Sequence, residues 1–141
     1  MTTRPARICL TLLALAALAG CGPKFVRERV YDKPNMRVEL RHQKSGDAPV
    51  ARGYSHPVTI ADVRIAHILA SLSYEDDEGN RKPAIRAQFV YELGDAISAA
   101  LAKAGPDDEV AAAVFPEDRR LQIFTDTRVT AFRLFVQGEQ M

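Results

Sequence analysis

Residues 83–106 read PAIRAQFVYELGDAISAALAKAGP, and this stretch decides the fold. Ile85, Phe89, Leu93 and Ile97, joined by Ala96, Ala100, Leu101 and Ala104, recur at the spacing of one helical face. Pro83 stands where the first turn of a helix tolerates proline, since its missing N–H would have no intrahelical acceptor there. Gly105-Pro106 marks the stop, a glycine followed by a residue that cannot continue the helix. A long amphipathic helix is expected between these signals, with its apolar stripe turned to a core. Gly94 lies inside it and costs about 1 kcal/mol relative to alanine. Close approach of the preceding helix, or of a strand, is the expected reason for it.

That preceding helix is expected over residues 60–71. Thr59 and Asp62 have the spacing of a capping box, and Val58 with Val63 that of a hydrophobic staple. Ala61, Ile65, Ile68 and Leu72 then share one face, with Leu69 beside them. Between the helices, Leu72-Ser73-Tyr74 also fits a short strand, and Glu75-Asp76-Asp77-Glu78-Gly79-Asn80 is acidic and turn-like. A calcium loop of the EF-hand type fails there: with Gly79 at position six, position one falls on Tyr74 and position twelve on Ile85. A solvated turn balanced by Arg81 and Lys82 is expected instead.

Strands are expected on both sides of the helices. Residues 36–41 alternate, with Met36, Val38 and Leu40 on one face and Arg37, Glu39 and Arg41 on the other. Residues 43–53 carry Ser45-Gly46-Asp47 and Pro49 and read as a loop. Downstream, residues 110–115 are apolar on both faces, as suits a central strand with small residues under a helix. Residues 116–119 read as a tight turn. Leu121, Ile123 and Thr125 alternate with Gln122, Phe124 and Asp126, and Thr130, Phe132, Leu134 and Val136 do the same against Ala131, Arg133 and Phe135. The expected class is α+β, an antiparallel sheet of about four strands with two helices packed on one face.

The N-terminus sets a different expectation. Residues 1–7 carry Arg4 and Arg7 without an acidic residue, residues 8–18 are apolar except for Thr11, and Ala19-Gly20 are small. The apolar run is far shorter than the roughly 20 residues of a membrane-spanning helix. Leu18-Ala19-Gly20-Cys21 resembles the lipobox of bacterial lipoproteins. That resemblance implies lipidation of the Cys21 thiol, cleavage between Gly20 and Cys21, and acylation of the new amino group. Two or more acyl chains hold a protein firmly at a membrane surface, at about 0.8 kcal/mol per buried methylene. Gly22 follows the cysteine where an Asp would signal inner-membrane retention in enteric-type lipoproteins, so the resemblance favours the outer membrane.

With residues 1–20 as a signal peptide, residues 21–35 read as lipidated cysteine and tether, and residues 36–141 as a single small domain. The 14 residues 22–35 span at most about 45–50 Å. The whole chain has 19 Lys+Arg and 18 Asp+Glu; loss of Arg4 and Arg7 leaves 17 against 18, a net charge of −1. Such a balance speaks against nucleic acid, whose phosphates call for a basic excess. Cys9 leaves with the signal and Cys21 carries lipid, so no disulfide, thiolate metal site or cysteine nucleophile is expected in the mature chain.

The remaining chemistry is sparse. His42, His56 and His67 lack metal-ligand spacing, even with Asp62 beside His67. Ser55-His56 has no surrounding nucleophile elbow. His56-Pro57 is expected to shape the approach to the first helix, since proline pushes its predecessor to extended geometry. Arg119, Arg120, Arg128 and Arg133 read as a solubilising set rather than a patch for anionic glycan or lipid headgroups. No metal and no cofactor is expected. The expected function is non-enzymatic: an envelope lipoprotein held to the membrane through Cys21 that binds or scaffolds a periplasmic or outer-membrane partner. The alternative is a small-ligand or glycan-processing envelope enzyme, which needs paired polar residues that the sequence does not offer. Residues 136–139 read like the start of a hairpin turn, yet the chain stops at Met141. The expectation is that the last strand accepts a partner's strand or a second copy of the chain, or that the chain is truncated relative to its relatives.

Overall fold

A computed structural model describes residues 24–115 and 129–138. In chain order the elements are β1 (Lys24–Lys33), β2 (Met36–Ser45), β3 (Ala48–Pro49), α1 (Asp62–Ser71), β4 (Ser73–Glu75), β5 (Arg81–Pro83), α2 (Ala87–Lys103), β6 (Glu109–Val114) and β7 (Thr130–Leu134). The fold is mixed α and β. An antiparallel sheet of five strands runs β1-β2-β6-β7, with β3 paired to the end of β2. β4 and β5 form a separate antiparallel hairpin. The expected strand over Leu121, Ile123 and Thr125 and the turn over residues 116–119 lie outside the described residues.

The core follows from the alternation of β2 and β6. Met36, Val38 and Leu40 of β2 are buried, as are Val110, Ala112 and Val114 of β6. Against them α2 sets Phe89, Val90, Leu93, Ala96, Ile97, Ala100 and Leu101. Leu93 and Ile97 are fully enclosed, and burial on that scale contributes about 1.5–3 kcal/mol for each such side chain. α2 lies against β1, β2 and β6, and α1 lies against α2. As expected, β6 sits inside the sheet, between β2 and β7.

The tether expectation is corrected over Lys24–Lys33, which pair with β2 along its length. The register shifts between Arg29 and Tyr31, a β-bulge at Val30. The bulge makes neighbours Val30 and Tyr31 both half-buried, which breaks the alternation there. Tyr31 Oη and Lys33 Nζ donate to Glu92 of α2, and this ties the strand to the core. β2 likewise runs on through Ser45, so the first part of the expected loop is a hairpin from β2 to β3 that turns at Gly46-Asp47, where Gly46 has φ 63°, while residues 50–53 form no regular element, as expected.

Both helix starts also differ from expectation. α2 begins at Ala87, with Pro83 in β5 rather than in a first helical turn. α1 begins at Asp62 with Ala61 as N-cap and no side-chain cap, so the Thr59 capping box does not form. Tertiary bonds fix this approach instead: Ser98 Oγ donates to the Ile60 carbonyl at 2.6 Å, and the Val58 N–H donates to the Leu101 carbonyl at 3.1 Å. The buried face of α1 is Ile65, Ala66 and Leu69, leaving Val63, Ile68 and Leu72 exposed. The face is turned because α1 seats Ala66 in the notch at Gly94. A β-carbon on Gly94 would lie 2.8 Å from the Asp62 carbonyl oxygen, so only glycine admits the neighbouring backbone.

The acidic segment closes the β4–β5 hairpin. Asp76 accepts from the N–H groups of Glu78 and Asn80 at 3.0 and 2.8 Å and from Lys82 Nζ at 2.5 Å. Those bonds, Lys82 foremost, bring its pKa down to about 2. Gly79, at φ 81°, supplies the left-handed residue that the turn needs.

Candidate functional site

The sheet face that carries Arg37, Glu39 and Arg41 is the opposite of the one holding the buried residues of β2. Short side chains from the neighbouring strands floor a groove of about 280 Å³ there: Ala111 and Ala113 of β6 and Ala131 of β7. Register places Arg27 of β1 opposite Arg41, Glu39 opposite Ala111, and Ala111 in turn opposite Arg133 of β7. Four arginines and one glutamate therefore line the groove.

Three of these arginines have carboxylate partners. Arg37 Nε donates to Asp32 Oδ1 at 3.0 Å, Arg27 Nε lies 3.7 Å from Glu39 Oε1, and Arg133 Nη1 lies 3.3 Å from Glu109 Oε2. The Arg37 and Arg29 guanidiniums, with Arg37 the stronger influence, hold the Asp32 carboxyl below its ordinary range. Arg41 differs. Its guanidinium carbon stands 4.5 Å from the Phe25 ring centroid, and its Nε is buried without an acceptor among the described residues. Arginine and aromatic faces attract by cation–π interaction, which positions the fork without consuming its N–H donors.

A second constellation lies around the loop that precedes α1. His56 is buried, and its Nε2 accepts the Val136 N–H at 2.8 Å, while the Ser55 N–H donates to the Val136 carbonyl at 2.7 Å. Tyr54 stacks on Phe135 with ring centroids 4.5 Å apart. The His56-Pro57 peptide is cis. Burial lowers the His56 pKa, while the charge and backbone of Asp108 act in the opposite direction. His42 Nδ1 donates to Asp108 Oδ1 at 3.0 Å, and the other oxygen of Asp108 accepts the Gly105 N–H at 2.8 Å. These bonds fasten the segment after β7 and the end of α2 to the rest of the domain.

Gly20 and Cys21, the expected cleavage and lipidation residues, lie outside the described residues, as do Arg119, Arg120 and Arg128. Of the arginine set only Arg133 is described, and it lines the groove. His42 and His56 have structural partners and His67 is exposed on α1. Among the described residues, no cluster of three or more His, Cys, Asp or Glu side chains is arranged to hold a metal ion. Arg27, Arg37 and Arg41 were hidden as a group. Their signal is the cross-strand register, which is invisible while residues 24–33 read as tether.

Compared with models of known families, with curated proteins and with solved structures, the chain matches none of them. No helix among the described residues is long and apolar enough to cross a membrane.

Proposed function

We propose that this chain is a non-enzymatic, membrane-anchored envelope lipoprotein whose small domain binds or scaffolds a periplasmic or outer-membrane protein. One observation carries the reading: charged, apolar and small-residue segments lead in order to Leu18-Ala19-Gly20-Cys21. In this reading, lipid on Cys21 holds the chain at the membrane, the outer membrane being favoured. β1 then begins three residues after the anchor, so the domain rides close to the bilayer surface. α2 lies against the sheet and α1 lies against α2, and the sheet face that carries Arg37, Glu39 and Arg41 and the β7 edge are left for recognition. β7 pairs with β6 on one side and with no strand on the other among the described residues. An open edge offers backbone N–H and C=O groups to a partner's strand or to a second copy.

The test is crosslinking in native membranes through residues of β7, followed by purification of the full chain. A single stoichiometric protein partner, or a dimer of this chain, is the expected product. Recovery of a glycan or small molecule in its place contradicts the reading and favours a ligand-processing enzyme.

A further inference from the structure

We infer that the end of the sheet formed by the start of β1 and the β2–β3 turn sits on an anionic bilayer surface, where Lys24 and Lys44 meet lipid phosphates. This deepens the reading above and rests on lipid at Cys21. Lys24 lies three residues beyond that anchor, so the two α-carbons stand at most about 11 Å apart. Lys33, at the other end of β1, is about 30 Å further along the strand. The link therefore brings the start of β1 to the membrane and no other part of the sheet so closely.

The chemistry of this end suits that surface. Register places Lys24 directly opposite Lys44, with Pro49 of β3 on the other side of Lys44. β6 joins β2 only as far as Arg41, opposite Glu109, and does not reach Lys44. The next pair on the face of the two lysines is Val26 with His42. Like charges directly opposite each other destabilise a strand pair, and an anion beside them relieves the cost. Among the described residues neither lysine is joined to a carboxylate, and Asp47 in the turn is bonded to neither. The other carboxylates here are engaged: Asp107 accepts the Arg52 and Gly53 N–H groups, Asp108 bonds His42, and Glu109 pairs with Arg133. At the far end of the sheet the cations are held instead, Lys33 by Glu92 and Arg37 by Asp32.

Apolar groups surround the two lysines. Phe25, Val26, Ala48 and Pro49 are exposed beside them. Exposed Phe135 lies at the same end, since Leu134 just before it pairs with Val110 at the start of β6. Such side chains enter the headgroup layer while lysine stems carry their charge to the phosphates. An acidic protein would offer the same charge, but the short link delivers the bilayer to this end first.

The test uses the full chain from native membranes, placed in lipid nanodiscs that carry a headgroup nitroxide. One set of discs is phosphatidylcholine alone, and the other contains one third phosphatidylglycerol. Nitroxide relaxation of the Gly46 amide, in the β2–β3 turn, is compared with that of Asn35, in the turn at the far end. A link alone favours Gly46 equally in both discs, whereas the inferred contact predicts a larger Gly46-to-Asn35 ratio in the anionic discs. Each lysine near an anionic surface contributes enough that Lys44→Gln should weaken this seated orientation about fivefold. Arg64→Gln, on the exposed side of α1, should leave it unchanged. Equal ratios in the two discs, an unchanged ratio in Lys44→Gln, or stronger relaxation of Asn35 would overturn the contact. The mass of the N-terminus in the same preparation separates the two readings. An unacylated chain overturns both, and an acylated chain that ignores lipid charge overturns the contact alone.

Discussion

Gly94 of α2 lies against the backbone of Ala66 of α1: a β-carbon on Gly94 would sit 3.1 Å from both the nitrogen and the β-carbon of Ala66. The neighbour cannot give way cheaply, because the Asp62 carbonyl at 2.8 Å belongs to the first turn of α1. Gly94→Leu is therefore expected to destabilise the domain by about 1–3 kcal/mol beyond the helix-propensity gain, through overpacking. Urea unfolding checks this. A variant that unfolds at or above the parent midpoint would mean that α1 does not press on this position.

Stability is expected to fall in mild acid through His56. Its folded pKa is depressed, chiefly by burial, so the unfolded chain binds its proton first. The contribution is complete above the unfolded value of about 6.5 and is lost as pH falls from there to the lowered folded value. Protonation also removes the acceptor for the Val136 N–H. Chemical denaturation measured from pH 8 to 5 should show this decline, and His56→Gln, which keeps an acceptor without titrating, should flatten it. An unchanged pH profile in His56→Gln would assign the decline to other groups.

Asp76→Asn should loosen the β4–β5 hairpin without dissolving the domain. The carboxylate organises the turn through Glu78, Asn80 and Lys82, and its depressed pKa means that this contribution is present above about pH 4 and fades as pH falls toward 2. Faster amide exchange of Asn80 is expected in Asp76→Asn, with exchange in α2 unchanged. Equal protection of Asn80 in variant and parent would show that the backbone alone closes the turn.

The β7 edge makes a fourth prediction. In the isolated chain, alternate amides of β7, those turned away from β6, should exchange rapidly and become protected in the native complex. Uniform protection across residues 130–134 in the isolated chain would remove the case for strand addition.

The legible parts of the fold were those where one residue's neighbours in sequence also decide its neighbours in space. Met36, Val38 and Leu40 announce their buried face by alternation, and Phe89, Leu93 and Ile97 do so by helical period. Where a distant contact rules, the local signal misleads. Thr59 has the form of a cap, yet Ser98 and Leu101 position the start of α1. Val30 and Tyr31 lose their alternation to a bulge, so β1 reads as tether until β2 is placed beside it. The groove inherits the same blindness, because Arg27 becomes a neighbour of Arg41 only through that pairing. The proposed lipobox is the opposite case, because a processing signal of that kind is carried wholly by local order.

Metabolic labelling with a fatty-acid probe, followed by mass determination of the mature N-terminus, tests the central claim most directly. The parent chain is expected to carry label and to begin at acylated Cys21, and Cys21→Ser should lose the label and retain residues 1–20. Label persisting in Cys21→Ser, or a parent chain that is unlabelled and begins elsewhere, would contradict the account.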